Sequence, residues 1–310
     1  MQLWHLLKLL ISVSTHFCHY MALGATLYIP ATRTDMDQIL NQKKQLRIRS
    51  IIICTEDAIS EEDLVPALAN IQSVLTQIRP SPILKFIRPR NLKVFTQLIR
   101  MPGIENINGF VLPKVDESNL LSYGEIAAQR LTSFLMPTIE TDLAFNRNRL
   151  DVFRERLAEL ANPILCLRIG GNDLLGLLKL KRPKNHTIYD TPLRNVINDI
   201  ILTFRPAGYE LAAPVFEYFN NHKILQQEIV LDMIHGLFTK AAVHPSQVAV
   251  IESSYRVCKQ DLDLAKIALQ EKTTAIFKLN EQMVEPSTHR FWAEDLLQRA
   301  KHYGVCCQQL

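Results

Sequence analysis

Short apolar runs recur along the chain, each closed by turn or charged residues and followed by a segment of helical periodicity. The first is "TLYIP" at 26–30, with a polar helical stretch from Thr32. "SIIICTED" at 50–57 precedes "SEEDLVPALANIQSVLTQI", where Ser60 is placed to cap a helix with acids in its first turn. "PILKFIRP" at 82–89 leads into "NLKVFTQLI", and "GFVLPKV" at 109–115 into "DESNLLSYGEIAAQRL". "SFLMPTIET" at 133–141 precedes "RNRLDVFRERLAELA", whose Leu150, Phe153, Leu157 and Leu160 share one face. Then come "ILCLRIGGND" (164–173), "YELAAPVFE" (209–217) and "FTKAAVHPSQ" (238–247), each with helical pattern behind it.

The runs are continuous rather than alternating, as in strands buried on both faces of a parallel sheet. Eight strand–helix units in series predict an α/β fold, a (β/α)8 TIM barrel, in preference to an open doubly wound sheet. The barrel is expected over 23–250, with a C-terminal helical appendage over 251–310 that ends in "THRFWAEDLLQRAKHYG". Residues 1–22 read as a dispensable N-terminal extension, or alternatively as an amphipathic extra helix. Their apolar stretch is broken by Lys8, His16 and His19 and is too short to span a bilayer, so no membrane partner is expected.

Composition adds exclusions. The 310 residues are 47% hydrophobic and 21% charged, a globular balance. The net charge of +4 comes from 35 basic and 31 acidic residues without a long basic block. The densest basic pieces, "QKKQLRIRS" and "KLKRPKNH", read as solvated helix ends, and nucleic acid is not an expected partner. Six cysteines lack CxxC or zinc spacing: Cys54 and Cys166 sit in apolar runs and Cys306–Cys307 near the C-terminus, which suits a reduced, cytoplasmic setting. GxGxxG, GxxxxGK[ST] and GxSxG are all absent.

Functional residues of a barrel collect at the C-terminal ends of its strands. Here those ends read "TED" (55–57), "IRPR" (87–90), "LPKV" (112–115), "IET" (139–141), "GGND" (170–173) and "HPSQ" (244–247). Charge at a buried strand tip is costly unless paired or metal-bound. Glu140 and Asp173 belong to neighbouring strands, and two hard oxygen ligands suit Mg2+ better than Zn2+. The alternative pairs Glu140 with a strand-end arginine and leaves Asp173 to cap a helix. Gly170 and Gly171 would let backbone N–H groups approach a bound carboxylate. Arg88 could grip a carboxylate or stabilise a developing enolate oxygen, or else pair with Glu56 or Asp57. The Glu56–Asp57 pair could orient Arg88 and a water, or cap a helix. Lys114 stands between substrate contact, with a Schiff base conceivable, and a structural ion pair. His244 could line the mouth or cap the helix beginning near Ser246.

The ordered series "LYIPATR", "IIICTEDAIS", "IRPR", "GFVLPKVD", "MPTIET", "RIGGNDLL" and "AAVHPSQ" resembles the HpcH/HpaI aldolase and citrate lyase beta subunit family. It is most similar to the divergent C–C bond lyase branch associated with tellurite-resistance gene clusters. The resemblance runs from about Thr26 to the C-terminal helix. It implies a TIM barrel that binds Mg2+, with Mn2+ as an alternative, and makes or breaks a carbon–carbon bond through a metal-stabilised enolate. The substrates it implies are 2-oxo acids or acyl thioesters, coenzyme A esters among them. It also implies a homo-oligomer, a trimer or hexamer, whose C-terminal segment reaches a neighbour's site. Glu140 and Asp173 then correspond to the metal ligands, Arg88 to the enolate-stabilising arginine, and Glu56–Asp57 to the strand-two acidic pair. Gly170 and Gly171 correspond to the backbone donors, and Asn172, Lys114 and His244 are further candidate substrate contacts. Three positions depart from the family pattern: Cys54 replaces an acid, Asn172 a common Glu, and Ala31 the usual Gly after Pro30. These departures bear on coenzyme A use more than on lyase chemistry. Two rival functions stand beside this one. One is a metal- and ligand-binding barrel without turnover in a stress-response or biosynthetic complex; the other is a pyruvate- or phosphoenolpyruvate-using enzyme on the same barrel.

Overall fold

In the computed structural model, which describes residues 18–44, 46–270, 276–279 and 282–306, every predicted apolar run contains a strand. The first half alternates β1 (Ala25–Pro30), α1 (Met36–Leu40), β2 (Ser50–Cys54), α2 (Leu64–Leu75), β3 (Leu84–Arg88), α3 (Leu92–Leu98), β4 (Gly109–Leu112) and α4 (Leu120–Ala127). It continues with β5 (Phe134–Ile139), α5 (Arg147–Glu159), β6 (Leu167–Ile169) and α6 (Gly171–Leu177). A loop and α7 (Leu193–Phe204) lead to β7 (Leu211–Ala212), α8 (His222–Ile234), β8 (Lys240–Ala242) and α9 (Pro245–Ser254).

All eight strands run parallel in the order β7-β6-β5-β4-β3-β2-β1-β8. A bridge between Ala213 and Lys240 joins the two ends, closing the sheet into a barrel. Burial on both faces explains the continuous apolar runs: β2, "SIIIC", is buried at every position. Helix starts follow local chemistry, with the Asn91 side chain accepting from Val94 N at 3.0 Å and Asn146 doing the same for Arg149 N at 3.2 Å. On α5, Leu150, Phe153 and Leu157 are buried, and Leu160 just beyond it packs into the same core.

Three expectations are corrected. Ser60 does not cap α2, which begins only at Leu64; its hydroxyl accepts instead from Asp63 N at 3.2 Å, inside the turn that precedes the helix. Tyr20 and Met21, assigned to the dispensable extension, are buried in the barrel core within a 3-10 turn leading into β1. The first seventeen residues lie outside the described structure, as does Cys307. "KLKRPKNH" is not wholly solvated, because Arg182 is 1% exposed. Its guanidinium joins a fully buried ionic cluster that the sequence did not reveal. Lys240 faces outward from β8 and bonds Glu228 Oε1 at 2.9 Å and Asp232 Oδ2 at 2.8 Å, both on α8. Arg182 reaches both oxygens of Glu228 at 3.2 Å and Val215 O at 2.8 Å. Tyr189 O–H donates to Asp232 Oδ1 at 2.8 Å, and Ile188 N to Glu228 Oε2 at 2.7 Å. The cluster fastens the loop after α6 to the barrel wall, behind the strand end that carries Asp173.

Beyond the barrel come β9 (Val257–Cys258), α10 (Lys259–Ala268), the hairpin β10 (Phe277–Leu279) and β11 (Gln282–Val284), α11 (Pro286–Tyr303) and β12 (Val305–Cys306). Val257, Leu264, Ala265 and Leu296 anchor a small second core there. Tyr303, by contrast, packs into the barrel and donates its hydroxyl to Phe238 O. No described helix is long and apolar enough to cross a membrane.

Candidate active site

The C-terminal strand ends open onto a cleft of about 680 Å3. Arg88 is the last residue of β3, Glu140 follows β5, and Glu56–Asp57 follow β2. Lys114 lies just past β4, and Asp173 is in the first turn of α6, directly behind β6. The cleft is lined by Asp57, Arg88, Glu140 and the run Gly170, Gly171, Asn172 and Asp173. Sequence positions spread over more than a hundred residues are thus brought to one mouth by parallel register.

Arg88 is the hub. Its Nη2 lies 2.8 Å from Glu56 Oε2, 2.8 Å from Glu140 Oε1 and 3.4 Å from Asp57 Oδ2. Lys114 Nζ approaches Glu56 Oε1 at 2.8 Å, Asp57 Oδ1 at 3.3 Å and Asp173 Oδ1 at 3.8 Å. Lys114 takes a left-handed backbone conformation, φ 48°, which costs a side-chain-bearing residue about 1–2 kcal/mol. That conformation accompanies a bond from Lys114 N to Glu140 Oε1 at 2.7 Å. The same residue therefore reaches Glu140 with its backbone and Glu56 with its ammonium.

Burial and charge set the ionisation of the ring. Glu140, 4% exposed, has its carboxyl pushed up to about 7 by burial; Arg88 opposes the shift and the charge of Asp173 adds to it. Asp173 is likewise raised, by burial and then by the charge of Asp57. Burial also raises Glu56, against the pull of Arg88 and Lys114. Asp57 feels burial too, but its bond with Glu56 and the charges of Arg88 and Lys114 outweigh it and leave the carboxyl lowered. Burial pushes the Cys54 thiol up, keeping it a neutral wall of the cleft.

Four carboxylates, Glu56, Asp57, Glu140 and Asp173, share two cations, Arg88 and Lys114, an excess of two negative charges when all are ionised. That excess matches a divalent cation. Among the described residues no group of three or more His, Cys, Asp or Glu side chains converges as a complete metal cage. Glu140 and Asp173 would supply two hard oxygen ligands and leave further positions to water and substrate, a donor set suited to Mg2+. The residues fit the ion.

Gly170 has a different task from the one expected of it. Its N–H donates to Ile139 O at 3.0 Å, within the sheet, and is not free to meet a ligand. A Cβ there would stand 2.3 Å from Glu140 Cβ and 2.6 Å from Oε2, so glycine makes room for the Glu140 side chain. At Gly171 an added Cβ would meet Ile188 Cδ1 at 2.5 Å and Pro214 Cβ at 3.0 Å, so this glycine permits close packing of the β6 end on its neighbours. Asn172 is exposed on the rim of the cleft. His244 caps α9: its Nδ1 accepts from Ser246 N at 3.2 Å, and its ring stacks on Phe219 rather than lining the cleft. Sequence reasoning missed Tyr28, Thr138 and Arg168, which line the cleft deeper in the barrel. The one available signal was an arginine in the middle of the apolar strand "LRI".

Residues 18–305 match the family model described as C–C bond lyase of the TIM-barrel fold. The chain belongs to that family. Its members' defining activity makes this protein a carbon–carbon lyase. No curated protein matches the chain in sequence. Among solved structures, CitE from Mycobacterium tuberculosis in complex with magnesium, acetoacetate and coenzyme A is similar at 20% identity and TM-score 0.67, over 90% of this chain and 98% of that one. RipC from Yersinia pestis matches at 18% identity and TM-score 0.57, covering 76% of this chain and 95% of its own. The citrate lyase beta subunit of M. tuberculosis complexed with oxaloacetate and magnesium matches at 18% and 0.56, covering 76% and 99%. These likenesses carry the barrel fold of the family.

Proposed function

We propose that this C–C lyase is Mg2+-dependent and acts on a 2-oxo acid or an acyl thioester, cleaving or forming the bond beside the carbonyl through an enolate. The observation that carries the reading is the charge excess at the cleft mouth, centred on two carboxylates, Glu140 and Asp173, that burial and then neighbouring carboxylate charge, Asp173 on Glu140 and Asp57 on Asp173, hold reluctant to ionise. Glu140 and Asp173 are the residues that would hold the ion. When bound, Mg2+ supplies Lewis-acid polarisation of the substrate's carboxylate and carbonyl oxygens.

The remaining groups act directly. Arg88 lines the cleft as a fixed cation and faces the negative charge that develops on the carbonyl oxygen as the bond breaks. Glu56, bonded to both Arg88 and Lys114, holds the two cations in place rather than acting on substrate. Asp57, half-exposed and ionised, lines the mouth where a substrate hydroxyl or a water would enter. Ile169, Leu177, Val215 and Val243 give the cleft apolar walls beside these charged groups. The complexes of similar barrels with magnesium, acetoacetate, oxaloacetate and coenzyme A support this substrate class.

The test is a screen of 2-oxo acids and coenzyme A thioesters with Mg2+, followed by product detection. With a turned-over substrate in hand, Arg88→Met should lower kcat by about 10²–10³-fold with the fold intact, the usual effect of losing one transition-state donor. Asp173→Ala should abolish Mg2+ dependence together with turnover. Full activity in Asp173→Ala would overturn the assignment.

A further inference from the structure

One buried charge in the cleft has no carboxylate partner among the described residues. Arg168 is 4% exposed at the centre of β6, yet its guanidinium forms no salt bridge with any described residue. Its recorded contacts are Met136 Sδ, 3.9 Å from Nη1, and the Tyr28 ring, 5.5 Å from the guanidinium carbon. Neither supplies a counter-charge, and a buried cation without one is costly. Thr138 pairs with Arg168 in register on β5, and its buried Oγ1 also lacks a hydrogen-bond partner. Beside β6, the end of β7 and then β8 line the cleft at this level with Ala213 and Ala241, small side chains that leave space next to the guanidinium. Thr138 lies two residues before Glu140, so this layer sits about 6.6 Å below the Glu140–Asp173 mouth at the usual rise per residue.

We propose that Arg168, with Thr138 and Tyr28, forms a subsite for a second carboxylate of the substrate. The chain is thereby selective for oxo acids that carry a carboxylate at each end. The proposal rests on the lyase reading for where the reacting end lies: that end sits at Glu140 and Asp173, and the far carboxylate reaches down to Arg168. A planar guanidinium presents paired donors that match a carboxylate, and the Thr138 hydroxyl adds another. A monocarboxylic substrate would leave Arg168 buried and unpaired in the complex, and a site built for a polar group rejects the analogue that lacks it.

Isothermal titration of the full chain with Mg2+ tests this with matched probes: 2-oxoglutarate against 2-oxovalerate, and 2-oxoadipate against 2-oxohexanoate. At least one dicarboxylate should bind about tenfold or more tighter than its monocarboxylate partner. Arg168→Met should weaken that dicarboxylate about 10–100-fold, the range for charge-assisted hydrogen bonds, and leave the monocarboxylate within about threefold. Arg168→Lys should fall between, and Thr138→Val should lower only the dicarboxylate affinity. These two carry the test if the thermal midpoint shows Arg168→Met to be unfolded. Equal affinity for both members of each pair, equal losses for both in the variants, or no binding of any probe by the folded chain would overturn the subsite. Arg168-dependent dicarboxylate binding that persists unchanged without Mg2+ would support the subsite and count against the metal reading. Mg2+-dependent binding indifferent to Arg168 would do the reverse.

Discussion

Lys240→Met removes a charge from the buried cluster behind β6 while nearly preserving side-chain volume. Glu228 would keep Arg182, but Asp232 would keep only the Tyr189 hydroxyl, so one carboxylate loses its counter-charge in a site with no exposure. Breaking a buried pair from one side costs about 3–5 kcal/mol. In a chain of 310 residues that lowers the thermal midpoint by about 5–8 °C. The loss has a proton-linked exit. Burial already pushes the Asp232 carboxyl up to about 6, against the pull of Lys240, so between about pH 4 and 6 the folded state binds more protons than the unfolded one. That group's contribution therefore falls as pH rises through this window. Without Lys240 the carboxyl rises further and the window extends upward. The deficit of the variant should be largest near pH 8 and shrink towards pH 5, by up to about 1.4 kcal/mol per pH unit. Urea denaturation at pH 8 and pH 5.5 measures it, and adding Asp232→Asn to the variant should recover much of the loss. A Lys240→Met chain within about 0.5 kcal/mol of the parent at pH 8, or with a deficit independent of pH, would show that Asp232 does not depend on Lys240 for its charge.

Two further outcomes follow from the site itself. Gly170→Ala meets no backbone restriction but drives a Cβ into Glu140, so Mg2+ affinity should fall about tenfold or more and stability by about 1–3 kcal/mol, although no ligand has been removed. Magnesium titration beside a thermal melt checks both, and unchanged binding would show that Glu140 has no need of the space. Because burial pushes the Glu140 carboxyl up to about 7, Mg2+ would have to displace its proton below that point. Apparent affinity should fall towards about tenfold per pH unit below 7 and level off above it, a profile read by titrations between pH 5.5 and 8.5; a flat profile would contradict it.

The barrel was legible because parallel strands buried on both faces read as unbroken apolar runs, and β2 is the plainest case. The mouth was legible because charged residues closing such runs have few structural excuses, which singled out Glu140, Asp173, Arg88 and the Glu56–Asp57 pair. What stayed hidden depends on partners distant in sequence. Arg182 looked solvated in "KLKRPKNH" because its partner Glu228 lies 46 residues on, and Lys240 vanished inside "FTKAA" for the same reason. The role of Gly170 turned on a steric fact, the neighbouring Glu140 side chain, that no spacing rule encodes. Arg168 stayed hidden because its charge lies inside an apolar run and not at a strand end, while the strand's alternation aims it into the same cleft one layer down.

In the proposed function Glu140 and Asp173 together hold Mg2+. Mg2+ titration of the folded chain and of Asp173→Asn, a near-isosteric change that removes the charge and replaces one carboxylate oxygen by an amide NH2, tests this directly. One equivalent should bind to the parent chain. Asp173→Asn should bind about 100-fold more weakly or worse, beyond the ~10–100-fold cost of losing only a ligand's outer partner. Equal Mg2+ affinity in the two chains, or no binding by the parent, would contradict it.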